Sequence, residues 1–334
     1  MTEVERPATV PAHRFSVAPM LDCTDRHFRV LMRQISCRAL LYTEMVVAQA
    51  LHHTKRRDRL LDFDPIEHPI ALQVGGDDPN LLADAARLAL DWGYDEINLN
   101  VGCPSQRVQA GNFGACLMAD PDLVARCVEA MGQASALPVT VKHRIGIDDL
   151  DNDTLLTAFV DRVAEAGAQR FSVHARKAWL EGLDPKQNRT IPPLQHERVV
   201  ALKQRRPELL IELNGGLETP ADCLVALDEC DGAMVGRAAY AHPLRWADMD
   251  HLIYGEAPRQ LLASDVVEGL IPHAAQHLHR GGRLWDLCRH LVQLVEGVPG
   301  ARHWRRELGE RSQRKGADLK ILEEAGRQLK DAGL

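Results

Sequence analysis

Eight short strand-like runs recur within the first 240 residues, and helical periodicity fills the spaces between them. The runs are FSVAPM (15–20), ALLYTEM (39–45), IALQVGG (70–76), EINLNVG (96–102), VTVKHR (139–144), RFSVHAR (170–176), LLIELNGG (209–216) and GAMVGRA (232–238). Two of the intervening stretches carry clear helix signals. PNLLADAARLALDWG (79–93) opens on Pro and closes on Gly, and DPDLVARCVEAMGQAS (120–135) opens on Asp-Pro. Strand alternating with helix requires parallel strands joined by right-handed crossovers. Eight such units in this length predict an α/β fold, a TIM (β/α)8 barrel. A doubly wound sheet is the rival, but no GxGxxG follows the first run.

After the last run the pattern changes. Residues 257–334 read as helices, ASDVVEGLIPHAAQHLHR, RLWDLCRHLVQLVEGV, ARHWRRELGERSQR and DLKILEEAGRQLKDAG, broken at GG and VPG. Four helices of this size make a small all-α bundle behind the barrel. The expected organisation is therefore a flexible N-terminal tail over 1–13, a barrel over 14–256 and a helical unit over 257–334. The 334 residues suffice for that.

The ends of the strand-like runs are chemically loaded. They carry Pro19-Met20, Glu44, Gln73, Asn98 and Asn100, Lys142, His174, Asn214-Gly215-Gly216 and Gly236-Arg237. Barrel enzymes place their chemistry on that rim. A single strand-end Gln or Asn is ordinarily a satisfied hydrogen-bonder; a polar group at nearly every end points to a site. NGG after the seventh run and GR after the eighth mark a phosphate site made of backbone N–H groups and a helix start, with Arg237 adding a charged contact. Lys142 and His174 can hold the pyrimidine edge and phosphate side of a flavin. A Schiff-base lysine is the alternative reading of Lys142. The carboxamide of Gln73 suits a flat heterocycle with donor and acceptor edges better than an aldol substrate.

Eight cysteines are scattered at 23, 37, 103, 116, 127, 223, 230 and 288. No apolar run approaches the roughly 18 residues of a membrane span, and the first residues lack an apolar signal core. The cysteines therefore read as reduced cytoplasmic thiols. None has the close spacing of a zinc knuckle, so no metal is expected. Cys103 stands at the mouth of the fourth run, and Cys116 leads toward a helix and reads as a packing thiol. The glycines of QAGNFGACLM read as the hinge of a loop able to close over a bound ligand.

The net charge of −7 argues against binding polyanions over the whole surface, but its distribution is uneven. Ten Lys/Arg stand against five acids between Arg280 and Lys320, and eight against three between Arg176 and Arg206. One such run is ordinarily a solvated face; two suggest an anionic partner. His273, His277 and His279 have metal-like spacing without supporting ligands, and are expected on the surface or facing that partner.

With these residues assembled, the chain resembles the tRNA-dihydrouridine synthases, and within them the bacterial A-type subfamily. The matching motifs are VAPMLDCTDRHFR, LLYTEMV, HPIALQVGG, YDEINLNVGCPS, FGACLM, VTVKHRIGIDD, VHARKAWLEGL, NRTIPPL, LNGG, MVGRAAY and GVPGARHWRR, spread over essentially the whole chain. Cys23 departs from the pattern, where related sequences carry residues such as Trp. The resemblance implies an FMN-binding barrel that reduces the C5–C6 double bond of D-loop uridines in tRNA, at positions 20 and 20a, with NADPH as reductant. It places FMN contacts on Pro19, Met20, Gln73, Lys142, His174, Asn214, Gly215, Gly216, Gly236 and Arg237. The catalytic cysteine falls on Cys103. Contacts to tRNA fall on Asn100, Gly102, Lys186, Arg189, Arg302 and Arg305, and the helical unit becomes the tRNA-binding domain.

The chemistry fits those residue types. Hydride arriving at uracil C6 leaves charge that a proton at C5 must quench, from a donor within about 3 Å. A free thiol, with an ordinary pKa of about 8.5, is mostly in the acid form at neutral pH. A nucleophilic role would instead need a nearby base or helix N-terminus, and the sequence does not choose between them. The target base must leave its stack, at a cost of a few kcal/mol that is least in a loop. The rival readings are an FMN oxidoreductase acting on a small unsaturated substrate, such as a free pyrimidine or enone, and a non-redox tRNA-binding module.

Overall fold

The computed structural model describes residues 10–295 and 297–334. The expected tail over 1–13 therefore lies mostly outside the described residues. Its last part is tied down: Ala12–Arg14 form a 3-10 turn, and the Tyr254 hydroxyl donates to the Ala12 carbonyl at 2.7 Å.

Eight parallel strands close into a barrel with helices around it: β1 (Phe15–Val17), β2 (Leu40–Tyr42), β4 (Ile70–Gly75), β5 (Glu96–Val101), β6 (Val139–Arg144), β7 (Arg170–His174), β8 (Leu210–Asn214) and β9 (Gly232–Val235). Closure runs through β1 pairing with β9 on one side and with β2 on the other, and through β2 pairing with β4. The expected barrel is present, with all eight runs as strands. One strand was not anticipated, the two-residue β3 (Val46–Val47), which adds to the end of β4. The two anticipated helices form as Pro79–Asp91 and Pro121–Ala134. Asp78 and Asp120 cap them through side-chain oxygens, with Pro in the first turn.

The alternation within the strands divides the molecule into two cores. Outward residues such as Val17, Leu41, Leu72, Ile97, Leu99, Val141, Phe171, Val173, Ile211 and Val235 pack under the helices and form the main apolar core. Inward, the apolar content shrinks to Ala18, Leu40, Tyr42, Ala71 and Met234. The rest of the interior is polar and buried: Ser16, Glu96, Asn98, Thr140, Arg170, Ser172 and Glu212. Arg170 pairs with Glu96 at 2.5 Å, and Glu212 accepts hydrogen bonds from Ser16 and Ser172. Arg170 and Glu96 offset the cost of their burial by pairing, while Glu212 has only the two hydroxyl donors and burial raises its pKa.

Beyond the barrel, the helices Ala263–His279, Leu284–Leu291, Ala301–Ser312 and Leu319–Asp331 form the expected helical set, the second ending seven residues short of its predicted stretch. The first two pack against the helix Arg26–Ile35 that follows β1. No described helix is long and apolar enough to cross a membrane.

Candidate active site

Three ties hold the turn that carries Cys103. β5 sends Asn98 and Asn100 inward, then the chain leaves the barrel at Gly102-Cys103. Asn100 Oδ1 accepts from the backbone N–H of Gly102 at 3.1 Å and of Cys103 at 3.0 Å. Arg144 Nε donates to the Gly102 carbonyl at 2.9 Å, and Ala115 N–H donates to the Cys103 carbonyl at 2.9 Å. The thiol itself lies 3.6 Å from Ser105 Oγ, close enough to donate to it. Ser105 also caps a five-residue helix, Gln106–Ala110, in a stretch that reads from sequence as loop.

The glycines here are not a hinge. Gly114 has φ +79°, and a Cβ on it would stand 2.6 Å from the Cys103 carbonyl oxygen and collide with Val108 Cγ1. A Cβ on Gly111 would collide with the Phe113 ring. Their role is close approach, which lets the FGAC segment lie directly under the cysteine turn. Gly114→Ala is expected to cost about 2–4 kcal/mol of stability, from the left-handed backbone and the clash together. Denaturant unfolding checks this; a variant within about 0.5 kcal/mol of the parent contradicts the packing. Cys116, further along toward the helix at Pro121, is a half-buried thiol donating to the Phe113 carbonyl at 3.2 Å, with its pKa pushed up by burial.

On the opposite side of the mouth the glycines and cations gather. Lys142 Nζ donates to Asn214 Oδ1 at 2.9 Å, while Asn214 Nδ2 donates to the Met234 carbonyl at 2.8 Å. Gly215 and Gly216 have φ of 108° and 72°, and a Cβ on Gly215 would lie 2.5 Å from His174 Cδ2. Gly236 precedes the short helix Arg237–Ala241, and its missing side chain looks toward Met20 Sδ, 3.7 Å from where a Cβ would stand. Met20 is held by a turn in which Thr24 Oγ1 accepts from its N–H at 2.9 Å. Burial, then Arg144, lower the Lys142 ammonium to about 8. Burial, with Arg144, Lys142, Arg176 and Arg237 around it, holds His174 well below its ordinary value, as a neutral imidazole.

Arg144 and Arg176 were not anticipated as site residues. Their signal was in the alternation, since VTVKHR puts Arg144 on the face of Lys142. Arg144 donates only to carbonyls, of Gly102, Lys177 and Asn188, and has no carboxylate partner among the described residues. Arg176 donates to the Pro192 carbonyl. Four cations thus surround His174, none of them ion-paired with an acid among the described residues, an arrangement suited to an anion. Glu44, the acid among the anticipated strand-end residues, accepts from the Asp22 N–H at 2.6 Å on the side of Cys23, and burial raises its pKa. Backbone at positive φ, cleft-facing glycines, a carboxamide at Gln73 and this uncompensated charge together fit a flat heterocycle carrying a phosphate.

Comparison with known proteins agrees with this geometry. The family model described as dihydrouridine synthase (Dus) matches residues 16–331. A Synechocystis tRNA-dihydrouridine(20/20a) synthase is 54% identical over 319 residues, covering 96% of this chain and 93% of its own. Proteins of the same name from Shewanella oneidensis (50%, covering 92% and 91%) and Escherichia coli (48%, covering 96% and 97%) are also similar. The chain belongs to the dihydrouridine synthase family. Its place is in the A-type subfamily, as the motifs implied.

The outer cations of this dihydrouridine synthase family member sort into two groups. Half of the cations in the anticipated basic runs are neutralised: Lys177 and Arg198 with Asp151, Arg205 with Asp153, Lys203 with Asp231, Arg206 with Asp161, Arg280 with Asp62, Arg283 with Asp286, Arg289 with Asp25 and Arg311 with Glu324. Lys186, Arg302 and Arg305 make no side-chain hydrogen bond or ion pair among the described residues, and Arg302 and Lys186 are exposed. Arg189 lies near enough to Arg237 for their charges to interact, and its carbonyl accepts from Arg237 Nη2 at 3.4 Å. Charge could be counted correctly from the sequence, but not which charges were already answered.

The histidines differ from expectation. His273 Nε2 lies 2.9 Å from His27 Nδ1, and the His277 ring centroid is 4.4 Å from that of His27. Both belong to the seam between the helical set and the barrel, and only His279 is exposed. No group of three His, Cys, Asp or Glu among the described residues could hold a metal ion.

Proposed function

We propose that this chain reduces the C5–C6 double bond of D-loop uridines in tRNA, at positions 20 and 20a, as an FMN enzyme recharged by NADPH in the cytoplasm. The observation that carries the reading is a cysteine turn whose backbone is tied on three sides at the barrel rim, beside a cationic site with no ion-paired acid among the described residues. The residues that would hold FMN are Pro19-Met20, Gln73, Lys142, His174, Asn214-Gly215-Gly216 and Gly236-Arg237, and bound there the reduced cofactor supplies a hydride to C6. The Cys103 thiol gives its proton to C5, so two electrons and two hydrogens enter the ring. Asn100 and Gly102 line the pyrimidine beside it. Asn100 does so with its carbonyl oxygen already committed to the turn, so its contribution includes holding Cys103 in place. Lys186, Arg189, Arg302 and Arg305 meet tRNA phosphates. We take residues 257–334 as the tRNA-binding unit.

The test is to delete the gene and map dihydrouridine in tRNA. Loss at 20 and 20a, restored by the gene, is expected, together with FMN absorbance in the purified protein. Unchanged dihydrouridine, or a protein that takes up no flavin, overturns the reading. Equal turnover of free uridine and of tRNA would favour a small-substrate oxidoreductase instead, for which the unpaired cations have no use.

A further inference from the structure

One chain of side chains runs from the sealed end of the barrel interior to the cysteine turn. Arg170 Nη2 donates to both oxygens of Glu96, at 2.6 and 2.5 Å, and Tyr42 adds a hydrogen bond at 3.2 Å. Thr140 Oγ1 donates to Glu96 Oε1 at 2.5 Å. Asn98 Nδ2 donates to Thr140 Oγ1 at 2.9 Å, and Gln73 Nε2 to Asn98 Oδ1 at 2.8 Å. Asn100 Nδ2 donates to Gln73 Oε1 at 2.9 Å, and Asn100 Oδ1 accepts from the N–H groups of Gly102 and Cys103. Parallel register makes this possible, since it sets Gln73 beside Asn98 and Asn98 beside Thr140 on inward faces.

The direction of every link is fixed from both ends. A carboxylate paired with a guanidinium only accepts, so Thr140 must donate to it and can only accept from Asn98. That turns the Asn98 oxygen toward Gln73, which must then offer nitrogen to Asn98 and oxygen to Asn100. From the other end, backbone N–H groups only donate, so Asn100 must offer them its oxygen and Gln73 its nitrogen. The two requirements agree at Gln73. Its carboxamide is left with one free N–H and one free lone pair, in one orientation.

We propose that Thr140 and Asn98 are positioning residues: through this directed chain they set both the Gln73 carboxamide presented to the flavin and the turn that carries Cys103. The inference rests on the flavoenzyme reading above and deepens it. Neither residue reaches the cleft, Thr140 being 2% and Asn98 0% exposed, so each acts through Gln73 and Asn100.

The full-length protein carrying Thr140→Val keeps the volume and loses the hydroxyl; Thr140→Ser keeps the hydroxyl. Three quantities are measured: the Kd for FMN by fluorescence, the alkylation rate of Cys103 in flavin-free protein by mass spectrometry with iodoacetamide, and kcat and KM on tRNA. For Thr140→Val we expect FMN binding weakened about tenfold, the loss of roughly one buried hydrogen bond. Alkylation should shift several-fold, and kcat should fall with KM for tRNA unchanged. Thr140→Ser should recover most of each loss. Wild-type FMN affinity and alkylation in Thr140→Val overturn the proposal, as does a Thr140→Ser protein as impaired as Thr140→Val. Should Thr140→Val not fold, Asn98→Asp removes the Nδ2 donor at the other end of the Asn98–Thr140 link at nearly constant volume and is expected to shift the same quantities in the same direction. The alkylation rate needs neither tRNA nor flavin. A parent protein that makes no dihydrouridine would sink the functional reading and leave this result standing.

Discussion

Cys103→Ala is expected to keep its flavin and lose dihydrouridine formation by a factor of about 10²–10⁴, the usual contribution of a positioned proton donor. The separation follows from the geometry. The contacts that tie the Cys103 turn run through its backbone, to Asn100, Arg144 and Ala115, and an alanine keeps these, losing only the long thiol contact to Ser105 Oγ at 3.6 Å. The flavin-side cations and glycines stand on β6 to β9 and do not use the sulfur. The variant should therefore fold, purify yellow and still oxidise NADPH through the flavin, while tRNA stays unreduced. Cys103→Ser should recover little, because an alcohol is a far weaker acid than a thiol. Absorbance spectra, NADPH consumption and dihydrouridine content of tRNA separate the three quantities. A Cys103→Ala protein with full product formation, or one that cannot hold flavin, removes the thiol from its assigned place.

The position of that thiol was legible in the sequence because its cause is local. A strand alternating EINLNV must turn Asn98 and Asn100 to one face, and the residues after it must leave the barrel at the rim. Lys142, His174 and Asn214 were legible for the same reason. What could not be read depends on register and on contacts across the chain. Glu96, Arg170 and Thr140 belong to three different strands, and nothing local says that they meet. Gly114 looked like a hinge because flexibility and close approach use the same residue, and only the carbonyl of Cys103 in front of it tells them apart. His27 and His273 stand 246 residues apart, so the seam they share was invisible, and the histidines of the C-terminal helices read as surface. The basic runs were half right for a related reason. Their cations were countable, but the acids that neutralise half of them mostly stand far away in the sequence, as Asp151, Asp161 and Asp25 do from Arg198, Arg206 and Arg289.

Lys142→Met should make the flavin-free protein more stable near neutral pH and much poorer at binding FMN. Lys142 is buried against Arg144, and its pKa falls from 10.5 in the unfolded chain to about 8 in the folded one. Below pH 8 the lysine is charged in both states, so folding bears the full cost of burying that charge. Between about 8 and 10.5 the unfolded chain binds more protons than the folded one, so stability rises with pH. Above 10.5 both states are neutral and the penalty is gone. A tenfold change in proton affinity is worth about 1.4 kcal/mol, which sets an upper bound of about 3 kcal/mol on that penalty. Loss of the hydrogen bond to Asn214, at 2.9 Å, offsets about 1 kcal/mol. The expected gain at pH 7 is therefore at most about 2 kcal/mol; it falls as pH rises, and above 10.5, where only the lost hydrogen bond remains, the variant is about 1 kcal/mol less stable than the parent. Flavin binding should move the other way, because an anionic ligand needs the ammonium. Wild-type affinity for FMN should weaken as pH rises above 8, and Lys142→Met should bind about 10²-fold more weakly, without that dependence. Denaturant unfolding of flavin-free protein from about pH 6 to pH 10.5, with FMN titrations at the same pH values, tests both halves. A variant less stable than the parent at pH 7 would mean that the lysine is held by a partner strong enough to repay its burial, and that the site is not waiting for an anion.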